Sequence, residues 1–179
     1  MNIHHVCVFC GSSKGNNPAH ATFAQKLGGA LVKNNIGLVF GGGSVGLMNE
    51  VANAVIDGGG HTHGVIPGHL NKGERTHSGL AKLDVTETMH ERKANMAALA
   101  DAFITLPGGF GTFEELLEII TWSQLQLHAK PVILANVDGY YDKLIAFIDH
   151  AMDTGFIETK NRKLLNVAET VDDCIAHLT

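Results

Sequence analysis

A chain of 179 residues can bury one sizeable core but is short for two full domains. Apolar residues make up 45% of it and charged residues 17%, a balance that excludes an intrinsically disordered polymer. The net charge of −5 excludes the basic footprint of a nucleic-acid or anionic-membrane binder, and no stretch approaches the ~20 apolar residues that span a bilayer. Cys7, Cys10 and Cys174 are too few for a disulfide framework. The N-terminal MNIHHVCVFCG has no signal-peptide pattern, so a cytoplasmic location is expected.

The first apolar run, HVCVFC (5–10), reads as a strand. Cys7 and Cys10 spell C-x-x-C within it and point to opposite faces. They therefore read as a core residue and a packing residue near a site, not as a redox pair at a helix N-terminus. Pro18 after Asn17 opens a helix over 18–34. The run GLVFGG (37–42) is a second strand, followed by a helix over 46–58. HGVIP (63–67) and AKLDVTE (81–87) are further strands, separated by PGHLNKGERTHSGL (67–80), the longest irregular segment. HTH (61–63) has no third ligand in view for a metal and reads as surface. A helix over 89–100, the strand DAFITLP (101–107), a helix over 113–127, the strand KPVILANV (130–137) and helices over 140–153 and 170–178 complete the chain. Near-continuous Val/Ile/Leu/Phe runs alternating with helices predict a doubly wound parallel α/β sheet covered on both faces, in a single domain (1–179).

In an open parallel sheet, ligands bind beyond the carboxyl ends of the strands. Three such ends carry glycine or small polar residues: CGSSKGNNP (10–18), GGGSVGLM (41–48) and PGGFGT (107–112). Glycine lets backbone approach a ligand, and the following helix offers free N–H groups and its positive dipole end, which together suit a phosphate. Residues 41–46 also match G-x-G-x-x-G, but the strand about 20 residues on ends in VIPGH, without the acid that holds a dinucleotide ribose. A mononucleotide or sugar phosphate fits better than NAD.

Two charged residues stand out. Thr112 and Glu115 form a T-x-x-E, so Glu115 reads either as the second half of a capping box or as a catalytic acid beside the anion cradle. On a helix starting at 113, Phe113, Leu116, Leu117 and Ile120 make the core stripe. Glu115 then aligns with Ile119 and Trp122, a second apolar stripe expected to lie under a helix of another subunit. Arg92, one of three arginines, sits in the first turn of its helix on a face with Met89, Met96 and Leu99. A cation opposes the dipole there, which favours a role in meeting an anionic group over a purely structural one. Lys93 reads as either a surface lysine or a site residue. Ser12 of the first loop and Gly43 of the second join Met89 as candidate binding residues.

The segments CGSSKGNNP, GGGSVGLM, MHERKANM and LPGGFGTFEELLEIITW together resemble the Lonely Guy (LOG) family of cytokinin riboside 5′-monophosphate phosphoribohydrolases. The hallmark P-G-G-x-G-T-x-x-E is complete at Pro107–Glu115, and the resemblance runs from about residue 5 to residue 157. It implies a Rossmann-like fold, a homodimer with the site near its interface, and hydrolysis of the N-glycosidic bond of an adenosine 5′-monophosphate without metal or organic cofactor. It implies Arg92 and Glu115 as catalytic residues. It implies binding by Glu74, Lys93, the loop Gly108, Gly109, Phe110, Gly111, Thr112, Phe113 and Glu114, and by Thr121. Phe110 stands where many relatives carry Tyr, and the 68–83 stretch diverges most. The N–H groups of Gly111–Glu114, with the 42–46 loop, are then expected to hold the 5′-phosphate, with the ribose over Glu115. A non-catalytic nucleotide or phosphorylated-ligand carrier is the alternative.

Overall fold

Seven strands form one fully parallel sheet in the computed structural model, which describes residues 3–71 and 76–178. They are β1 (His5–Phe9), β2 (Gly37–Phe40), β3 (Thr62–Pro67), β4 (Lys82–Thr86), β5 (Ala102–Thr105), β6 (Val132–Ala135) and β7 (Leu165–Ala168). Their spatial order is β4-β3-β2-β1-β5-β6-β7. The order reverses between β1 and β5, whose registers run from Val6 opposite Ala102 to Phe9 opposite Thr105. That reversal opens a crevice at the carboxyl edge, where a doubly wound sheet takes its ligands.

The helices are α1 (Pro18–Lys33), α2 (Gly46–Asp57), α3 (Met89–Leu99), α4 (Phe110–Gln124), α5 (Asp142–Asp153), α6 (Thr159–Arg162) and α7 (Val171–Ala176). Helix α1 starts as its sequence dictates: Pro18 occupies the first turn and the Asn17 side chain accepts from the Ala19 amide at 2.9 Å. Strand alternation divides the core in two. Val6, Val8, Leu38, Phe40 and Ile104 pack against Leu27 and Leu31 of α1 and Leu47, Val51 and Val55 of α2. Cys7, Phe9, Val39, Val65 and Phe103 pack against Met96 of α3, Leu116 and Ile119 of α4 and Ile148 of α5. Each fully buried Leu, Ile or Phe stabilises the fold by about 1.5–3 kcal/mol.

The doubly wound, Rossmann-like architecture is as expected, with additions at the C-terminus. One-turn α6 and β7 were not foreseen, because LNVA is too short and too polar at Asn166 to stand out as an apolar run. Cys7 and Cys10 lie in the two different core layers, and burial pushes both thiols well up from their ordinary range. The surface reading of HTH fails for His63. Its ring is buried because β4 pairs along the outer side of β3, and its Nε2 lies 2.7 Å from the Asp84 carboxylate. His61 is exposed. No helix among the described residues is long and apolar enough to cross a membrane.

Candidate active site

Because the strands are parallel, the loops after β1, β2 and β5 meet at one edge. Backbone bonds lock them together: the Gly11 amide donates to the Pro107 carbonyl at 3.0 Å and the Leu47 amide to the Gly11 carbonyl at 2.9 Å. Gly46, the last glycine of the G-x-G-x-x-G match, has φ +59, and a Cβ there would fall 2.2 Å from the Ser12 carbonyl carbon. Loop packing therefore accounts for this glycine without a dinucleotide.

Helix α4 differs from its expected form. It begins at Phe110, three residues earlier than the sequence pattern suggests, with Gly109 as N-cap and no side-chain cap bond. Thr112 and Glu115 thus lie inside the helix, and the capping-box reading is overturned; a true box occurs in α7, between Thr170 and Asp173. The Phe113 amide is already spent on the Gly109 carbonyl at 3.0 Å. The N–H groups without an intrahelical partner are therefore those of residues 110–112, a set that begins one residue before the expected 111–114 and ends two before it. Gly108 is required by the chain itself, since a Cβ would fall 2.1 Å from the Thr112 hydroxyl oxygen. At Gly109 and Gly111 a Cβ would meet nothing within 4 Å, so these glycines keep a surface open.

The buried face of α4 is Thr112, Glu115, Leu116 and Ile119, rotated from the expected stripe. Leu117 is 46% exposed and Ile119 is core. Glu115 is only 8% exposed, and its Oε1 accepts from Arg92 Nη1 at 3.1 Å. The Arg92 Nε donates to the Val65 carbonyl at 3.0 Å, fixing the guanidinium over the end of β3. Burial pushes the Glu115 carboxyl up to about 7, against the pull of the Arg92 charge. Arg92 rests on Gly41: a Cβ there would fall 2.1 Å from Nη2. Beside this pair, the buried Lys93 ammonium donates to Glu114 and, at 3.0 Å, to Glu118.

Two cavities open at this edge. The first, about 420 Å³, is lined by Ser12, Gly41, Gly43, Val45, Met48, Ile66, Leu70 and Arg92. The second, about 380 Å³, lies between the 11–16 loop and Gly108–Gly109, with Ser12, Lys14, His20 and Tyr140 on its walls. Of the residues singled out from sequence, Ser12, Gly43, Gly108, Gly109, Arg92 and Glu115 come together here. Phe110 and Gly111 are exposed on the first turn of α4, Phe110 at 93%, while Thr112 is buried. Phe113 is half-buried edge-on to Tyr141. Met89, the first residue of α3, is exposed. Thr121 lies on the exposed side of α4, its hydroxyl donating to the Leu117 carbonyl at 2.7 Å, about 9 Å along the axis from Glu115. Glu74 lies outside the described residues. Sequence reasoning missed the apolar wall of Val45, Met48, Ile66 and Leu70, although Val45 and Met48 lie within the 41–48 loop it had placed at the edge. It also missed Tyr140, whose hydroxyl donates to the Gly108 carbonyl at 2.6 Å; no local signal marks that contact.

Fold and site together define a Rossmann-like α/β domain with a buried arginine–carboxylate pair at the switch point of its sheet. Its relatives narrow this further. The family model described as "Possible lysine decarboxylase" matches residues 48–178. The Arabidopsis thaliana cytokinin riboside 5′-monophosphate phosphoribohydrolase LOG2 is 54% identical over 160 residues, covering 89% of this chain and 75% of that protein. LOG4 of the same plant is 51% identical over 97% of this chain and 80% of its own length. The Oryza sativa enzyme LOG is 50% identical over 97% of this chain and 72% of its own length. The chain belongs to the Lonely Guy family of these proteins. Solved structures of similar fold include the molybdenum cofactor binding protein of Rippkaea orientalis, with TM-score 0.74 and 22% identity over 98% of this chain and 95% of that one. The Moco carrier protein of Chlamydomonas reinhardtii has TM-score 0.74 and 23% identity over 98% and 94%. At that identity the likeness speaks for the fold alone.

Proposed function

We propose that this chain hydrolyses the N-glycosidic bond of adenosine 5′-monophosphates, N6-substituted cytokinin nucleotides included, releasing the free base and ribose 5-phosphate. The activity is the one named for relatives 50–54% identical to it. The observation that carries the reading is Glu115, a carboxylate 8% exposed, held by Arg92 and one turn from the open amides of α4.

In this reading the amides of residues 110–112 and the helix dipole hold the 5′-phosphate. The base enters the cavity walled by Val45, Met48, Ile66 and Leu70, and the ribose lies over Glu115. The C1′–N9 bond breaks while a water oxygen bonds to C1′, and a water proton ends on the departing base. Positive charge builds on the sugar, as in glycoside hydrolysis, and the Glu115 carboxylate stabilises it and orients the water. Arg92 anchors the substrate and offsets negative charge developing on the purine. The ionised acid is the working form, so turnover rises as pH passes through about 7.

A homodimer suits the outer face of α4, where Leu117 and Leu125 are exposed in line with Phe110 and Thr121. In such a dimer Thr121 faces the second copy. Three free, buried thiols suit a reducing cytoplasm. The test of the activity is chromatographic: incubation with AMP and, separately, with isopentenyladenosine monophosphate, followed by detection of free base. Glu115→Gln is expected to keep nucleotide binding and lose most turnover, and Arg92→Ala to abolish turnover. Binding without release of base from either nucleotide would leave a carrier in place of the enzyme.

A further inference from the structure

The Arg92–Glu115 pair has a neighbour that the reaction as written does not use. Helix α3 presents two consecutive cations to α4. Arg92 takes Glu115, and Lys93 takes Glu114 and Glu118, the residues one before and three after it. Glu114 and Glu118, four apart, share one side of α4, and Glu118 lies one turn from the acid. The Lys93 side chain is 9% exposed, so its ammonium is committed to these two carboxylates beneath α4. A buried ammonium with two carboxylate partners is held in place, and Lys93 is on the wall of neither cavity described, whereas a substrate-binding lysine directs a donor into one.

We propose that Lys93 is a positioning residue, which by binding the two carboxylates flanking Glu115 fixes that acid's orientation and its charge. This rests on the reading of Glu115 as the reacting acid. The groups facing Glu115 are few. Arg92 and Lys93 come from α3, Glu114 and Glu118 from its own helix, and the thiols of Cys7 and Cys10 from the β1 side, both neutral because burial raises them. Burial raises the Glu115 pKa most; Arg92 opposes it, Glu114 and Glu118 add to it, and Lys93 lowers it. Without Lys93, two carboxylates lose their counter-charge within one turn of Glu115. The ionised form then becomes harder to reach.

Two measurements on the full chain test this. One follows the Glu115 carboxyl by carbon NMR of glutamate-labelled protein, with the signal identified by its loss in Glu115→Gln. The other is the pH profile of kcat/KM for AMP. Lys93→Met is expected to move both midpoints up by about half to one pH unit, Glu118→Gln to move both down, and Lys93→Arg to restore the wild-type midpoints. Should Lys93→Met fail to fold, Lys93→Gln, which keeps a donor for both carboxylates but carries no charge, takes its place with the same upward shift expected. Unmoved NMR midpoints, or an AMP KM raised more than about tenfold by Lys93→Met at an unchanged midpoint, would overturn the proposal and make Lys93 a structural or substrate-contacting residue. An NMR midpoint that moves as expected in a protein releasing no base upholds the coupling and sinks the hydrolase reading instead.

Discussion

Replacing Glu115 by glutamine should flatten part of the pH dependence of stability. In the folded chain burial lifts this carboxyl from its ordinary 4.5 to about 7. The folded state therefore holds the proton more tightly than the unfolded state does. Stability from this group is fully present below 4.5 and is lost as pH rises towards about 7, because ionising the acid in place costs more than ionising it in water. The gap between 4.5 and about 7 corresponds to about 3 kcal/mol. Glutamine keeps the shape and still offers an oxygen to Arg92, but it cannot ionise. Urea unfolding of both proteins across this window isolates the effect, since every other titrating group cancels in the difference. Wild type minus variant should fall by about 3 kcal/mol across the window. A flat difference would refute the reasoning and show that Arg92, 3.1 Å away, fully compensates the burial. Turnover is expected to rise over the same range in which stability falls. The ionised acid is then the form that works and also the form the fold resists, a trade common at active sites.

Three further outcomes follow from the same geometry. Gly41→Ala places a Cβ 2.1 Å from Arg92 Nη2, so the guanidinium must move. Turnover should fall on the order of 10²-fold with an unchanged far-UV spectrum, and an unaffected kcat would mean that Arg92's seat is unimportant. Gly111→Ala meets no atom within 4 Å, so urea unfolding should show equal or greater stability. Its AMP Kd, measured by calorimetry, should weaken by about tenfold or more if the 110–112 amides hold the phosphate. Leu117→Glu puts a charge on the exposed face of α4 and should shift sedimentation from dimer to monomer; an unchanged mass would move the interface elsewhere.

Six of the seven strands were legible: β1, β2, β5 and β6 carry the near-continuous apolar runs that parallel strands covered on both faces need, while β3 and the edge strand β4, KLDVT, are shorter or alternating runs set off by the irregular segment between them. β7 was not, since four residues with Asn166 among them carry no such signal. The loops of the site were legible for a similar reason: glycine clusters after strands β1, β2 and β5 mark close backbone approach wherever the sheet turns out to lie. What composition hides is phase. PGGFGT suggests a loop running to Thr112, yet Gly109 serves as the N-cap and the helix absorbs Gly111 in its first turn. That shift of three residues carries Thr112 and Glu115 from the cap into the helix body.

The rotation of α4 has a cause that no periodicity count could supply. By hydropathy a carboxylate belongs outside, so the stripe through Phe113 and Leu117 appeared to be the buried one. Burying Glu115 becomes tolerable only because Arg92, 23 residues earlier in the chain, arrives from α3 already tethered to the Val65 carbonyl. Lys93 then draws Glu114 and Glu118 toward the same side. Once these cations face α4, the helix turns its acids toward them and leaves Leu117 exposed to solvent. An arrangement that buries charge and exposes leucine is poor for a lone folding unit. It becomes reasonable if the acid has work to do in the cavity and the leucine meets a second copy, so the proposed chemistry and the proposed dimer explain one and the same rotation.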